Sequence, residues 1–302
     1  MNWELIAIWL APIISFLLGI TSSLCFGAFI LVTAGILPAL LFKWRVYTSN
    51  WQRVLLILFI LLISSLILNG LRNLDWGVVA KYAPKLVSGA GLTLELVAIS
   101  VVIGLILAIP LGIARASKHW YVRALPYGYM FFFRGTPLLV QLFLVYYGLA
   151  QFDAVRQGPL WPYLRDPFWC AIITMTLHTA AYIAEILRGA IQAIPPGELE
   201  AARALGMSKT QTLFYITLPR AARIGLPAYS NEVILMLKAS SLASTITLLE
   251  LTGMSRTIIA RTYLPVEIFF AAGMFYLVIA YVMVRAFKLL ERRLRVDACQ
   301  GR

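Results

Sequence analysis

Charged side chains are scarce. Only 13% of the 302 residues are Asp, Glu, Lys or Arg and 61% are hydrophobic, whereas a soluble domain is typically about 25% charged. The chain is too apolar for a soluble globular domain and reads as an integral membrane protein. Acidic residues are fewest, 13 against 26 basic ones. The resulting charge of +13 does not imply nucleic acid, because the basic residues lie between apolar runs and gather in alternate loops, as membrane topology requires. Cysteine is limited to Cys25, Cys170 and Cys299 with no CxxC pair, which excludes a disulfide framework and points to no metal. No GxxxxGK[ST] loop is present, so the chain does not itself hold the phosphates of a nucleotide. HExxH, GxSxG and paired aspartates at helical spacing are also missing, which argues against a membrane-embedded enzyme, and nothing calls for a cofactor. There is no low-complexity segment or internal repeat. The first ten residues, MNWELIAIWL, lack the basic start of a secretory signal and read as part of a retained span.

A membrane helix needs about 20 apolar residues. Spans are expected at 5–22, 26–42 and 54–69, and then at 92–114, 130–149, 168–187, 224–249 and 269–287. The fold class is therefore all-α: a polytopic helix bundle with an N-terminal unit of two or three spans over 1–70, a five-span core over 75–292 and a tail over 293–302. Residues 72–88, with Asp75, Trp76 and Pro84, read as an interfacial segment. Loop charge sets the orientation. The loops at 43–53, 115–123, 188–223 and 285–302 hold 17 Lys or Arg, and those on the opposite side hold 7. Positive loops stay in the cytoplasm, so both termini and the 188–223 loop are expected there.

That loop carries the most specific stretch of the chain, EAARALGMSKTQTLFYITLP at 200–219. Ala201, Ala202, Arg203, Ala204 and Leu205 favour a helix, and Gly206 supplies a left-handed stop. Ser208 with Gln211 makes a capping box for a second helix, and Pro219 is expected to end it. Pro195, Pro196 and Gly197 break the preceding span. The unit over 197–219 thus reads as a rigid elbow outside the bilayer. Glu200, Ala201, Ala202, Gly206, Ile216, Leu218 and Pro219 match in identity and spacing the EAA loop of bacterial ABC importer permeases, and the elbow resembles that family's coupling helix, which docks in a groove of the ATP-hydrolysing subunit. FRGTPLLVQLF at 133–143, AYIAEILRGAI at 181–191 and NEVILMLKASSL at 231–242 resemble the polar amino-acid branch of these importers, the histidine, glutamine and arginine type. The wording onward to Gly253 is similar to permeases for cationic amino acids and opines. The likeness covers roughly 75–292; no function is assigned to 1–70.

Ionisable groups within spans are expensive and mark a transport path by default. Asn231 and Glu232 precede Lys238 in one apolar span, followed by Ser240, Ser241, Ser244 and Thr245. This stretch is expected to line the gate, or to form the contact with a second permease, or both. The family often carries a polar pair where Ala239 and Ser240 stand. Glu95 is a candidate for the path or for a partner at the outer interface. Glu185 and Arg188, spaced i to i+3, read as a structural pair; Arg134 to Pro137 with Gln141 reads as a hinge, and His178 as a packing residue.

The resemblance implies a permease subunit of a type I ABC importer in the bacterial inner membrane. Its implied partners are two ATPase subunits, a sister permease or second copy, an extracytoplasmic solute-binding protein, a polar amino acid and membrane lipid. The alternative is a secondary transporter or channel with Glu95, Glu232 and Lys238 as an ion relay, which leaves the elbow unexplained.

Overall fold

A computed structural model of the protein describes residues 75–294 and the isolated positions 59, 62 and 65. The first two expected N-terminal spans, the third apart from positions 59, 62 and 65, Cys25, Cys299 and most of the tail lie outside these residues. Contacts divide the chain into two units, Met1–Trp76 and Gly77–Arg302, and only the second is described below. Its described residues form helices and no strand.

Helix α1 runs unbroken over Trp76–Arg115, about 60 Å at 1.5 Å per residue. The segment expected to lie at the interface is therefore the first part of a rod longer than a bilayer core. Pro84 does not interrupt it, since Leu86 and Ala90 are buried against Leu251, Ile258 and Ile268 and packing outweighs one missing backbone donor. Helix α2, Trp120–Gly135, is followed after a bend of 99° by α3, Leu138–Phe143, which continues through a π-turn and a 3₁₀ turn to Gln151. The break at Thr136 and Pro137 falls where the sequence interrupts its apolar run. Two single-turn helices, α4 (Asp153–Arg156) and α5 (Trp161–Leu164), cross the next loop.

Helix α6, Pro167–Gln192, starts at Asp166, whose side chain accepts from the Phe168 N–H at 2.9 Å. It is the central helix. Gly104 and Gly112 of α1 meet it so closely that an added Cβ would strike the Thr179 side chain at the first and approach Ala184 O to 2.9 Å at the second. Small residues set this close crossing. After the elbow helices α7 (Pro196–Ala204) and α8 (Lys209–Thr212), α9 runs over Leu218–Ala239 and tightens into a 3₁₀ turn, Ser240–Ile246. Helices α10 (Leu251–Thr262) and α11 (Pro265–Arg293) complete the unit. Among the described residues three helices, α1, α6 and α11, are long and apolar enough to cross a membrane, and the bent pairs raise the number to as many as five if each is one span.

Pro219 does not end the second elbow helix. Residues 213–217 form a π-turn in which Leu218 N–H reaches back to Leu213 O, and α9 continues from it with the proline in its first turn. The wider turn accommodates a ring that lacks a donor and crowds the carbonyl four residues back.

Candidate functional site

The elbow is built from local signals and tied to the bundle at its root. Helix α7 ends in a Schellman motif: Met207 N–H bonds to Ala202 O at 3.1 Å and Gly206 N–H to Arg203 O at 2.9 Å. Gly206 stands at φ +75°, the left-handed conformation this cap requires. Ser208 Oγ accepts from Gln211 N–H at 3.3 Å while Gln211 Oε1 accepts from Ser208 N–H at 2.8 Å, the expected capping box. An ion pair of 3.0 Å joins Glu198 of α7 to Arg220 of α9. Ala190, Ile194 and Ala221 bury against Leu199 and Ile224 below it.

The seven matched elbow residues have unequal surroundings. Glu200, Ala201, Gly206 and Pro219 are exposed, Ile216 and Leu218 half-buried, and Ala202 is only 1% exposed. Ala202 therefore serves the elbow's own packing, whereas Ala201 points to the surface. Leu205 is 81% exposed and Tyr215 75%, with Phe214 also exposed. Three large apolar side chains are thus exposed on one short, otherwise polar unit.

The expected path residues separate. Glu232 is 7% exposed and turns toward α6, where Thr179 Oγ1 donates to it at 3.5 Å. Asn231 and Lys238, seven residues apart and so on one face of α9, are exposed away from Glu232, and Glu95 is exposed on α1. Ser240 is buried and Ser241 half-buried, and their hydroxyls donate to Leu237 O (2.7 Å) and Lys238 O (2.8 Å). Ser244 and Thr245 likewise bond to Ser241 O and Leu242 O. The tightened 3₁₀ turn takes up these donors and leaves only oxygen lone pairs for a solute.

Two buried networks went unread in the sequence. Gln141 is buried at the 99° corner, where its Nε2 donates to Phe133 O (2.9 Å), Thr136 O (3.0 Å) and Thr136 Oγ1 (2.7 Å). It thereby satisfies the carbonyl end of α2 from the first turns of α3. Its Oε1 stands 3.2 Å from His178 Nδ1, so the corner is read directly by α6. Nearby, Arg134 lies 3.8 Å from Glu185, which Arg188 holds at 2.6 Å.

The second network centres on Glu250, which is fully buried. Its carboxylate caps α10 by accepting from Thr252 N–H (2.8 Å) and Gly253 N–H (3.0 Å). It also accepts from Tyr276 of α11 at 2.9 Å and stands 3.4 Å from the Thr93 hydroxyl of α1. Thr93 in turn accepts from Leu251 N–H at 3.1 Å. Three helices thus meet on one carboxylate, just past the left-handed residue Thr247 at φ 69°. The cost of a charge in an apolar stretch could have singled out Glu250 as it did Glu95.

Known proteins resemble this chain in both sequence and fold. Residues 100–296 match the family described as binding-protein-dependent transport system inner membrane component. The octopine transport system permease protein of Rhizobium radiobacter is 48% identical over 206 residues, 68% of this chain and 84% of the relative. The histidine/lysine/arginine/ornithine transport system permease protein of Escherichia coli K12 is 44% identical over 207 residues, 68% and 87% of the two chains. Among solved structures, an amino acid ABC transporter with histidines matches with a TM-score of 0.65 and 33% identity, covering 73% of this chain and 99% of that one. The chain belongs to the binding-protein-dependent transport system inner membrane components, the permease subunits of ABC importers.

Proposed function

We propose that this permease carries polar amino acids, cationic ones or opines above all, and that ATP hydrolysed by two separate subunits drives it through the elbow over 197–219. The observation that carries the reading is the elbow itself: an internally capped unit, clamped at its root by Glu198 and Arg220, that presents Leu205, Phe214 and Tyr215 outward. The names of the relatives, octopine and histidine/lysine/arginine/ornithine permeases, support the substrate class. A sister permease or second copy completes the pathway, and a solute-binding protein delivers the solute from outside.

In this reading the core over 75–292 has five spans, with further spans over 1–70, and the elbow and both termini face the cytoplasm as loop charge requires. ATP draws the two ATPase subunits together, the elbows move with them, and α6 and α9, which flank the elbow, carry the motion to the gate. Glu232, Asn231, Lys238, Ser240, Ser241 and Glu95 are the side chains proposed for that path. Glu232 suits a cationic solute group best, being a buried carboxylate with a 3.5 Å hydroxyl partner.

Reconstitution of the whole complex in proteoliposomes tests the proposal. Uptake of arginine, histidine or octopine should require both ATP inside and the binding protein outside. Uptake that persists without ATP and collapses with the proton gradient would refute it and select an ion-coupled carrier.

A further inference from the structure

Between the C-terminal end of α1, the second half of α2 and α6, the bundle carries a cleft that coupling does not use. Arg115 of α1, Tyr127, Met130, Phe131 and Arg134 of α2, and Glu185 of α6 line a space of about 270 Å³. The Arg115 guanidinium lies 5.0 Å from the centre of the Tyr127 ring, and Arg134 lies 5.3 Å from that of Tyr182. Charge in the cleft does not balance. Two guanidiniums face one carboxylate, and that carboxylate is already held by Arg188 at 2.6 and 3.0 Å.

The depth of the cleft in the bilayer is read from the chain around Arg115. Arg115 closes a long apolar helix, and Trp120 and Tyr121 beside it are exposed, as aromatic residues are where bilayer meets water. The outward wall is apolar, since Tyr127 and Phe131 are both exposed on α2. A free anion would leave that wall uncovered. A zwitterionic lipid would bring its own ammonium against the two arginines.

We propose that this cleft is a binding site for an anionic phospholipid, its phosphodiester between Arg115 and Arg134 and its acyl chain along the exposed rings of Tyr127 and Phe131. Planar guanidiniums suit phosphate oxygens by their paired donors, and basic pockets between membrane helices are known seats for such headgroups.

The test uses the complete complex with its ATPase subunits in nanodiscs of equal phosphatidylglycerol and phosphatidylcholine, with retained lipid counted by native mass spectrometry. The wild type should keep phosphatidylglycerol in clear preference. Arg115→Gln should weaken that retention about fivefold, the worth of one interfacial cation, and Arg115→Lys should restore most of it. If Arg115→Gln does not assemble, Tyr127→Leu, which removes the ring under the guanidinium but keeps the charges, should lower retention in the same direction. Equal retention of the two lipids would overturn the proposal. So would displacement of the lipid by excess inorganic phosphate or by transported amino acid. A permease-to-permease disulfide formed at Phe131→Cys would also overturn it, since the sister subunit would then fill the cleft.

Discussion

Gly206 gives the sharpest test of what the elbow needs. Its φ is +75°, and a Cβ placed there would meet nothing within 4 Å of this chain. The glycine is thus required by backbone conformation and not by space. An L-residue in that conformation costs about 1–2 kcal/mol, with Asn the least penalised. Proline cannot adopt it at all, and would remove the N–H that bonds Arg203 O at 2.9 Å. Substitution should therefore be graded, with Asn mildest, Ala intermediate and Pro abolishing coupling. At about 1.4 kcal/mol per tenfold, Ala should lower the fraction of correctly bent elbows by at most about thirtyfold. The assay is uptake alongside binding-protein-stimulated ATPase in proteoliposomes. Gly206→Pro should insert normally, hydrolyse ATP without stimulation and transport nothing. If Gly206→Asn proved worse than Gly206→Ala, side-chain volume would be the limiting factor and the backbone argument would fall. Full uptake by Gly206→Pro would remove the elbow from coupling altogether.

The two elbow alanines should part company. Ala202→Leu must force a larger side chain into a closed site at about 1–3 kcal/mol and should lower the melting temperature of the complex, whereas Ala201→Leu should spare melting and reduce uptake; equal effects on both measurements would contradict the burial difference. Glu250→Ala strips partners from the buried Gly253 N–H, the half-buried Thr252 N–H and Tyr276 and should cost about 3 kcal/mol, seen as a large drop in melting temperature or in half-life on heating. An unchanged melt would mean that this network holds nothing. His178→Phe keeps the ring against Tyr182, 4.9 Å away, but leaves Gln141 Oε1 without its donor; it should destabilise by about 1–3 kcal/mol and Gln141→Leu by more, because three acceptors lose their partner. Both are read by melting, and the reverse order would refute the corner's hydrogen-bond account.

The elbow was largely legible in the sequence because its signals are local. Gly206, Ser208 and Gln211 lie within six positions of one another, and each does what its type and spacing dictate. The break near Thr136 and Pro137 was legible for the same reason. What escaped depends on contacts distant in sequence. Pro84 sits in an unbroken helix because Leu86 and Ala90 pack against residues more than 150 positions away. Pro219 opens a helix because the π-turn before it absorbs the missing donor. Gln141 with His178, and Glu250 with Thr93 and Tyr276, are ordinary polar residues until the fold brings them together. The path residues show the limit of grouping by chain proximity. Asn231, Glu232 and Lys238 share one helix, yet only Glu232 turns inward.

The central claim, that the elbow is the handle by which a separate ATPase moves this permease, is tested most directly by a disulfide between the two. With Tyr215→Cys in the assembled complex and single cysteines introduced along the ATPase groove, the account expects a cross-link that arrests both uptake and stimulated hydrolysis, each restored on reduction. A fully active complex in which no ATPase position can be joined to residue 215, or to 205 or 214 in turn, would contradict it.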